Sequence, residues 1–491
     1  MSHQLKIPVE VSRIIDTLKQ GGFSAYLVGG CVRDLLLNRP PKDWDITTSA
    51  KPEQIVSLFP KTFYENHFGT VTVVDETAGV GEALKNIEIT PFRLEGAYSD
   101  KRHPDSVKFS DKLEDDLQRR DFTINALALD PTKGQVVDLF GGESDLKNRT
   151  IRSVGQADER FTEDALRILR CVRLAVELGF TIADETTNSI IKNGALVREI
   201  AAERIRDELC RIIMSDNPMV GLVLCHKLMI LKHFLPELEE GVHVKQNGEH
   251  IYDVWEHTLR VLQHSADKKY PLEIRLSALF HDIAKPRTRA FNQDKQNFTF
   301  YGHEVVGAKM TKIILARLKF SRETSDRVVN LVRNHMFFSD TEKITLSAVR
   351  RIIAKVGREN IDDLLKVRMC DRIGMGRPKE QPYRLRKYQS MIDEALRQPT
   401  SVGMLKVRGD DVIHETKLPP GPKIGFILSA LLEEVLENPE INERELLMKR
   451  AQELANLDEK TLKELGDSGK EKIAELEEGI VDEIRKKHFV K

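Results

Sequence analysis

Asp43 and Asp45 flank Trp44 near the start of the chain. On a strand, residues i and i+2 point to one face, so these two carboxylates would stand side by side. They repel each other unless a divalent cation lies between them, the arrangement that holds Mg²⁺ for phosphoryl transfer. An isolated D-x-D can also be an acidic surface turn. The segment before it weighs against that reading. Leu27-Val28-Gly29-Gly30-Cys31-Val32-Arg33-Asp34 reads as a strand that ends in two glycines and runs into a helix. There, close backbone approach and the helix dipole favour a phosphate, although a Gly-Gly pair also suits a plain turn. Glu88, between Ile87 and Ile89, is either a solvent-facing strand position or a third carboxylate aimed at the same cations.

Two more groups of residues could do chemistry. In Glu163-Asp164-Ala165-Leu166-Arg167-Ile168-Leu169-Arg170-Cys171-Val172-Arg173, arginine recurs every three residues. That spacing predicts one basic ridge, with Asp164 and Arg167 on a shared helix face. An exposed helix laced with salt bridges has the same pattern. Further on stand His257, His281-Asp282, His303, His335 and Asp371. Singly, histidines on helices are packed or half-exposed side chains.

The elements that must position these residues fall into two styles. Up to about residue 150, short β-rich runs (25–28, 70–74, 87–90) are separated by turns and flanked by amphipathic helices at 8–19 and 53–59. From there to about 456 the patterning is helical, with breaks at Asn217-Pro218, Pro236, Pro286, 377–382 and 419–422. The expected architecture is therefore a small mixed α/β head on a long helical body. Residues 457–491 are highly charged and sparsely apolar, which predicts at most a solvated helical tail. At 491 residues the chain calls for several domains. Lys+Arg 76 against Asp+Glu 77 gives a net charge of -1, so bulk charge does not announce a nucleic-acid binder. Residues 341–400 are locally basic and carry Tyr383 and Tyr388 among Arg384, Arg386 and Lys387, which suits either RNA phosphates or a solvated face. No apolar run is long enough to span a membrane. Cys31, Cys171, Cys210, Cys225 and Cys370 are scattered, odd in number and without C-x-x-C, which fits a reducing cytoplasm.

Five blocks occur in a telling order: GGCVRDLLLNRPPKDWDITTSA, EITPFRLEGAYSDKRHPDSVKF, DDLQRRDFTINALALD, DLFGGESDLKNRTIRSVG and EDALRILRCVRLAVELGF. Over roughly residues 20–213 the chain resembles the class II tRNA nucleotidyltransferase/bacterial poly(A) polymerase family, and most of all its CCA-adding members. The resemblance implies a nucleotidyltransferase head (1–150), an all-α neck (151–245), an HD phosphohydrolase-like domain (246–376), a helical body (377–456) and the charged tail. It makes Asp43 and Asp45 the Mg²⁺-binding pair and Glu88 the third active-site carboxylate. Gly29, Gly30 and Arg33 would contact the triphosphate. Arg119, Arg120, Asp121 and Asn125 would contact ribose and phosphates, and Asp164 and Arg167, with Arg170 and Arg173 on the same helix, the base edges of CTP and ATP. Position 165 is Ala where relatives often carry Pro. Glu203-Arg204 matches a block that braces the neck. The histidine–aspartate series resembles the HD domain, which implies His257, His281, Asp282 and Asp371 as core ligands of a divalent transition metal (Ni²⁺, Mn²⁺, Co²⁺ or Fe²⁺). His303 and His335 would then serve a second metal or a phosphate. The implied partners are tRNA, CTP and ATP, with no membrane, for a monomer or homodimer. The implied activity is CCA addition, with a metal-dependent phosphatase or cyclic phosphodiesterase in the HD domain. CC-only or A-only addition, poly(A) synthesis, and an HD hydrolase with an RNA-binding head are the alternatives. Retention of loop 95–107 favours the full activity, and an HD domain kept only as a tRNA scaffold is the alternative to a second active site.

Overall fold

The computed structural model describes residues 6–64, 69–74, 82–96, 106–246, 251–337, 344–397 and 402–490. Residues 97–105 of the loop weighed above lie outside them. The described chain divides into two compact units, residues 1–335 with 363–378, and 336–362 with 379–491.

The first unit starts with α1 (Val9–Gln20), which buries Val11, Ile14, Ile15 and Leu18 on one face. It lies on a seven-stranded sheet built from β1 (Ala25–Val28), β2 (Asp45–Thr48), β3 (Thr62–Tyr64), β4 (Val71–Val74), β5 (Asn86–Pro91), β6 (Leu127–Asp130) and β7 (Gln135–Asp138), in the order β3-β4-β5-β2-β1-β6-β7. Only β2 and β5 run parallel, and their register sets Asp45 beside Glu88. Neighbours in register share a face of the sheet, while Ile46 and Ile89 turn into the core.

Helix α2 (Gly30–Leu36) follows β1 directly, through Gly29 at φ 78°. A Cβ on Gly29 would come within 3.0 Å of Arg120 Nη1 and 3.7 Å of Asp45 Oδ2, so both the backbone angle and the space require glycine. After α3 (Pro52–Leu58) and α4 (Leu113–Gln118), the neck begins with α5 (Ala157–Glu163), α6 (Leu166–Leu178) and α7 (Ala202–Met214). Next come α8 (Val254–Asp267), α9 (Leu272–Phe280), α10 (His303–Arg317), α11 (Arg322–Asn334), α12 (Leu346–Val356) and α13 (Ile361–Gly374). One apolar core runs without a break from Val11 through Leu169 and Leu279 to Val332, so head, neck and histidine-bearing helices share an interior. Between α9 and α10 the chain makes a hairpin, β8 (Ala290–Asn292) with β9 (Asn297–Thr299).

The second unit contains α12, α14 (Tyr383–Leu396), α15 (Pro422–Glu437) and α16 (Glu459–Lys487). Here the structure corrects one expectation. Residues 459–487 form the helix expected and expose many of its side chains, yet α16 is more than a solvated tail, because it is fastened at several points. Leu462 is fully buried, and Gly466 lets the helix approach Phe426 so closely that a Cβ there would sit 2.8 Å from the Phe426 backbone. Arg397 pairs with Glu477, and Lys487 and His488 reach Asp393 at 2.8 and 2.9 Å. Sparse apolar residues and one glycine suffice for docking when ion pairs finish the contact.

Gly374, near the end of α13, faces α8. A Cβ there would lie 2.2 Å from Val261 Cγ2 and 3.1 Å from the His257 carbonyl. Gly374→Ala should therefore cost about 1–3 kcal/mol through overpacking. The check is a urea unfolding curve, whose midpoint should fall; an unmoved midpoint would show that the two helices yield freely.

Candidate active sites

In the head, Trp44 is buried and pins the segment, with Asp43 exposed on one side of it and Asp45 half-buried on the other. Asp43 lies in the bend before β2, and Asp45 is the strand's first residue. Burial pushes the Asp45 carboxyl above its ordinary range, Arg120 opposes, and the charge on Asp43 pushes it further up. The cost of charging both aspartates is what a divalent cation would remove, and Glu88 stands next to Asp45 in the sheet. Oxygen donors of this kind suit a hard divalent cation, although the ligand groups gathered within 4.8 Å among the described residues are those of the histidine–aspartate series.

Around the carboxylates runs a connected set of guanidinium groups. Arg33 Nη1 donates to Asn125 Oδ1 at 2.8 Å, and Asn125 Nδ2 donates to Asp121 Oδ1 at 3.1 Å. Arg170, from the neck helix α6, closes the chain by donating Nε and Nη2 to Asp121 Oδ2 at 2.8 and 2.6 Å. Asp121 is buried, and Arg170 with Asn125 holds its carboxyl well below the usual range against the effect of burial. Arg119 and Arg120 are both anchored by Asp116, at 2.6 and 3.0 Å. Asp116 is fully buried and also accepts from Thr47 Oγ1 of β2 at 3.2 Å. Sequence reasoning passed over it. The available signal was its i+3 and i+4 spacing to the two arginines on one helix face.

Helix α6 differs from the expected basic ridge. Arg167 is buried and donates to Glu163 at 2.6 Å and to the Arg119 carbonyl at 3.0 Å. Arg170 turns to Asp121. Arg173 is buried against Glu208 at 2.6 Å and Glu177 at 2.9 Å, tying α6 to α7. The three arginines thus enter three separate ion pairs, because steps of three residues drift around a helix of 3.6 per turn. Asp164 sits in the joint between α5 and α6 and receives a two-pronged grip from Arg204 of α7, at 3.1 and 2.8 Å. Arg204 thus braces the neck as expected, by holding the carboxylate that would read a base.

The second site gathers every one of its expected residues. His257, His281, Asp282 and Asp371 offer ligand atoms all within 4.8 Å of one another, and so do Asp282, His303 and His335. All six are buried. His257 Nε2 lies 3.1 Å from Asp282 Oδ2 and 3.3 Å from Asp371 Oδ1. The other oxygen, Asp282 Oδ1, lies 3.4 Å from His303 Nε2 and 3.8 Å from His335 Nε2, so this carboxylate belongs to both groups.

The ring orientations decide what the site can hold. Nδ1 of His281, His303 and His335 lies 2.7–2.8 Å from the carbonyls of Ala278, Phe300 and Val332. A nitrogen at that distance from a carbonyl carries the proton, so each neutral ring presents a lone pair at Nε2. His303 and His335 aim these lone pairs at each other across 3.2 Å. Such a contact is repulsive unless a positive charge lies there. His281 shows the same demand: burial depresses its basicity, yet Asp282 and Asp371 push it up to about 10. Imidazoles mixed with carboxylates fit a divalent transition metal, and the two groups joined by Asp282 fit a pair of ions.

A nucleotidyl-transfer head joined through a helical neck to a histidine–aspartate metal centre is the class of protein this geometry defines. Comparison with known proteins agrees: residues 25–152 match the "Poly A polymerase head domain" family, 179–241 the "Probable RNA and SrmB- binding site of polymerase A", and 254–376 the "HD domain". The chain is 33% identical over 442 residues to a CCA-adding enzyme of Ligilactobacillus salivarius, covering 90% of this chain and 95% of that one. It is 34% identical over 426 residues to a CC-adding tRNA nucleotidyltransferase of Thermus thermophilus, covering 83% and 89%. A crystal structure of the Bacillus stearothermophilus CCA-adding enzyme in complex with CTP superposes with a TM-score of 0.58 at 29% identity, covering 91% of this chain and 98% of that one. The chain belongs to the class II CCA-adding enzyme/poly(A) polymerase family and carries an HD domain. Among the described residues no helix is long and apolar enough to cross a membrane.

Loaded with Ni²⁺ in the presence of excess Mg²⁺, the protein should hold two Ni²⁺ per chain, and the His303→Ala variant one. Elemental analysis after desalting measures this directly; equal stoichiometry in both proteins would remove His303 from the ligand set.

Proposed function

We propose that this chain is a CCA-adding tRNA nucleotidyltransferase. The observation that carries the reading is the Asp45–Glu88 pair set by the β2–β5 register, with Asp43 in the bend just before β2 and Gly29 close by, in a chain aligned to a CCA-adding enzyme over 95% of the latter's length. The 3′-hydroxyl of tRNA attacks the α-phosphate of CTP or ATP, and pyrophosphate leaves. Asp43 and Asp45 would hold Mg²⁺, which would supply charge neutralisation at the reacting phosphate. The protein's own part is positioning. Arg33, Arg119 and Arg120 meet phosphate oxygens from a framework already ordered by Asn125 and Asp116. Asp164 and Arg167 offer one acceptor and one donor to the base edge, which suits both cytosine and adenine after small rotations. Arg170 and Asp121 hold these two groups of contacts in register, and Arg173 secures the helix that bears them. Addition of CC alone is the second reading, favoured by the Thermus thermophilus relative.

For the HD domain we propose metal-dependent hydrolysis of a phosphomonoester or a 2′,3′-cyclic phosphate, with water as the co-substrate. His257, His281, Asp282 and Asp371 would hold one ion and Asp282, His303 and His335 a second, and these would supply Lewis acidity to water and phosphate oxygen. Lys285, 2.6 Å from Asp282, adds a buried cation beside them. Cys31, Cys171, Cys210, Cys225 and Cys370 form no disulfide among the described residues, and the cytoplasm is the proposed location.

The deciding experiment supplies tRNA lacking its last three nucleotides with CTP and ATP, separately and together, and sequences the products. Full CCA ends support the first reading, and CC ends support the second. Asp43→Ala or Asp45→Ala should abolish addition while tRNA affinity, which comes from basic contacts, stays within roughly a few-fold. Near-normal addition by either variant would end the metal assignment. His281→Ala combined with Asp282→Ala should eliminate hydrolysis of phosphate and cyclic-phosphate substrates and leave CCA addition intact. If no metal gives the wild type more hydrolysis than this double variant, the HD domain is a scaffold and not a second active site.

A further inference from the structure

Asp282 and Asp371 both stand in the first donor group of the HD centre, yet they use their oxygens differently. Asp282 turns Oδ2 to His257 and His281, at 3.1 and 3.2 Å, and Oδ1 to His303 and His335, at 3.4 and 3.8 Å. Asp371 meets His257 and His281 through Oδ1, at 3.3 and 3.6 Å. Its Oδ2 accepts from Arg368 Nη1 at 2.5 Å. Arg368 and Asp371 lie three residues apart on α13.

On an exposed helix such an i,i+3 pair is ordinary and contributes little. This one differs in where it sits. The Asp371 side chain is 8% exposed and that of Arg368 24%, so the arginine reaches inward to a buried carboxylate that is itself one of the four ligand groups. A carboxylate can bind an ion through one oxygen or through both. With Oδ2 engaged in a charge-assisted hydrogen bond, Asp371 has Oδ1 to give. The donors of the first group are then two imidazole nitrogens and two carboxylate oxygens, one from each aspartate. Lys285 does not act on Asp282 in this way, since it reaches Oδ2, the oxygen already turned to the two histidines.

Ions differ in what they gain from one more oxygen. Imidazole suits Ni²⁺, whereas carboxylate oxygen suits Mn²⁺. An Asp371 able to offer both oxygens would enrich the group in oxygen, to the relative benefit of Mn²⁺. The charge of Arg368, by contrast, repels every divalent ion alike. Metal preference therefore separates the effect of the hydrogen bond from that of charge and of packing.

We propose that Arg368 is a positioning residue that holds Asp371 to one-oxygen ligation and thereby raises the preference of the HD centre for Ni²⁺ over Mn²⁺. This rests on the reading of the histidine–aspartate cluster as a metal centre, and the test keeps the two apart.

The full-length apo-protein is titrated by calorimetry with Ni²⁺ and with Mn²⁺, separately, in the His303→Ala background so that the first group is measured by itself. The ratio of the Mn²⁺ Kd to the Ni²⁺ Kd should fall about 10- to 100-fold in Arg368→Met, the range over which hydrogen-bond partners of a metal ligand act. Met keeps the apolar stem and removes the donors. Arg368→Lys, which keeps one cationic donor for Oδ2, should stay near the starting ratio, and retained CCA addition shows that each variant is folded. A ratio unchanged in Arg368→Met, with both dissociation constants moved together or not at all, overturns the proposal. So does a Lys variant that shifts as far as the Met variant. Should His303→Ala bind neither ion, the same titrations without it decide. If the wild type also binds neither, the metal reading itself fails and the proposal falls with it.

Discussion

The grip of Arg170 on Asp121 fixes the head against the neck, and the nucleotide site depends on it. Asp121 belongs to the loop that also orders Asn125 and, through it, Arg33. Arg170 belongs to the helix that begins beside Asp164 and Arg167. One ion pair, buried on its Asp121 side, therefore sets the distance between the groups that would hold a triphosphate and those that would read a base. Breaking one partner of such a pair strands an uncompensated charge, so neither residue can be lost alone. Arg167 reinforces the joint by donating to the carbonyl of Arg119, which binds the two halves of the site through backbone as well as side chain.

The two metal-binding regions solve opposite versions of one problem. In the head, Asp45 stands beside Glu88 with Asp43 just before it, and the arginines around them are paired with Asp116, Asp121 and Glu163, so the donors there are oxygens. In the HD region, backbone carbonyls fix the imidazole rings so that soft nitrogen lone pairs converge in a buried space. The sharing of one apolar core by both regions explains how a single chain keeps two such different environments rigid.

Much of this was legible in the sequence, for physical reasons. Gly29-Gly30 and Asp43-Trp44-Asp45 carry strong local constraints, a positive φ and a buried aromatic between two carboxylates. The histidine–aspartate series was legible through its order, and all of its members converge. What stayed hidden depends on contacts between distant segments. The role of Asp116 needs Thr47 from another strand, that of Arg173 needs Glu208 from another helix, and the grip of Arg204 on Asp164 spans two helices. The docking of α16 escaped because it relies on a glycine face and scattered ion pairs, where periodicity looks for a continuous apolar stripe.

Asp282 gives one oxygen to each donor group, so two ions bound there would not behave as independent tenants. A first ion would draw on the negative charge that attracts a second, and at the same time would fix the shared carboxylate for it. Charge withdrawal opposes the second arrival and preorganisation aids it. A calorimetric isotherm of the apo-protein would thus report a macroscopic pair of affinities that belong to the centre as a whole. In a cell with fluctuating metal supply, the centre would pass between empty and full with its half-filled state governed by this one side chain.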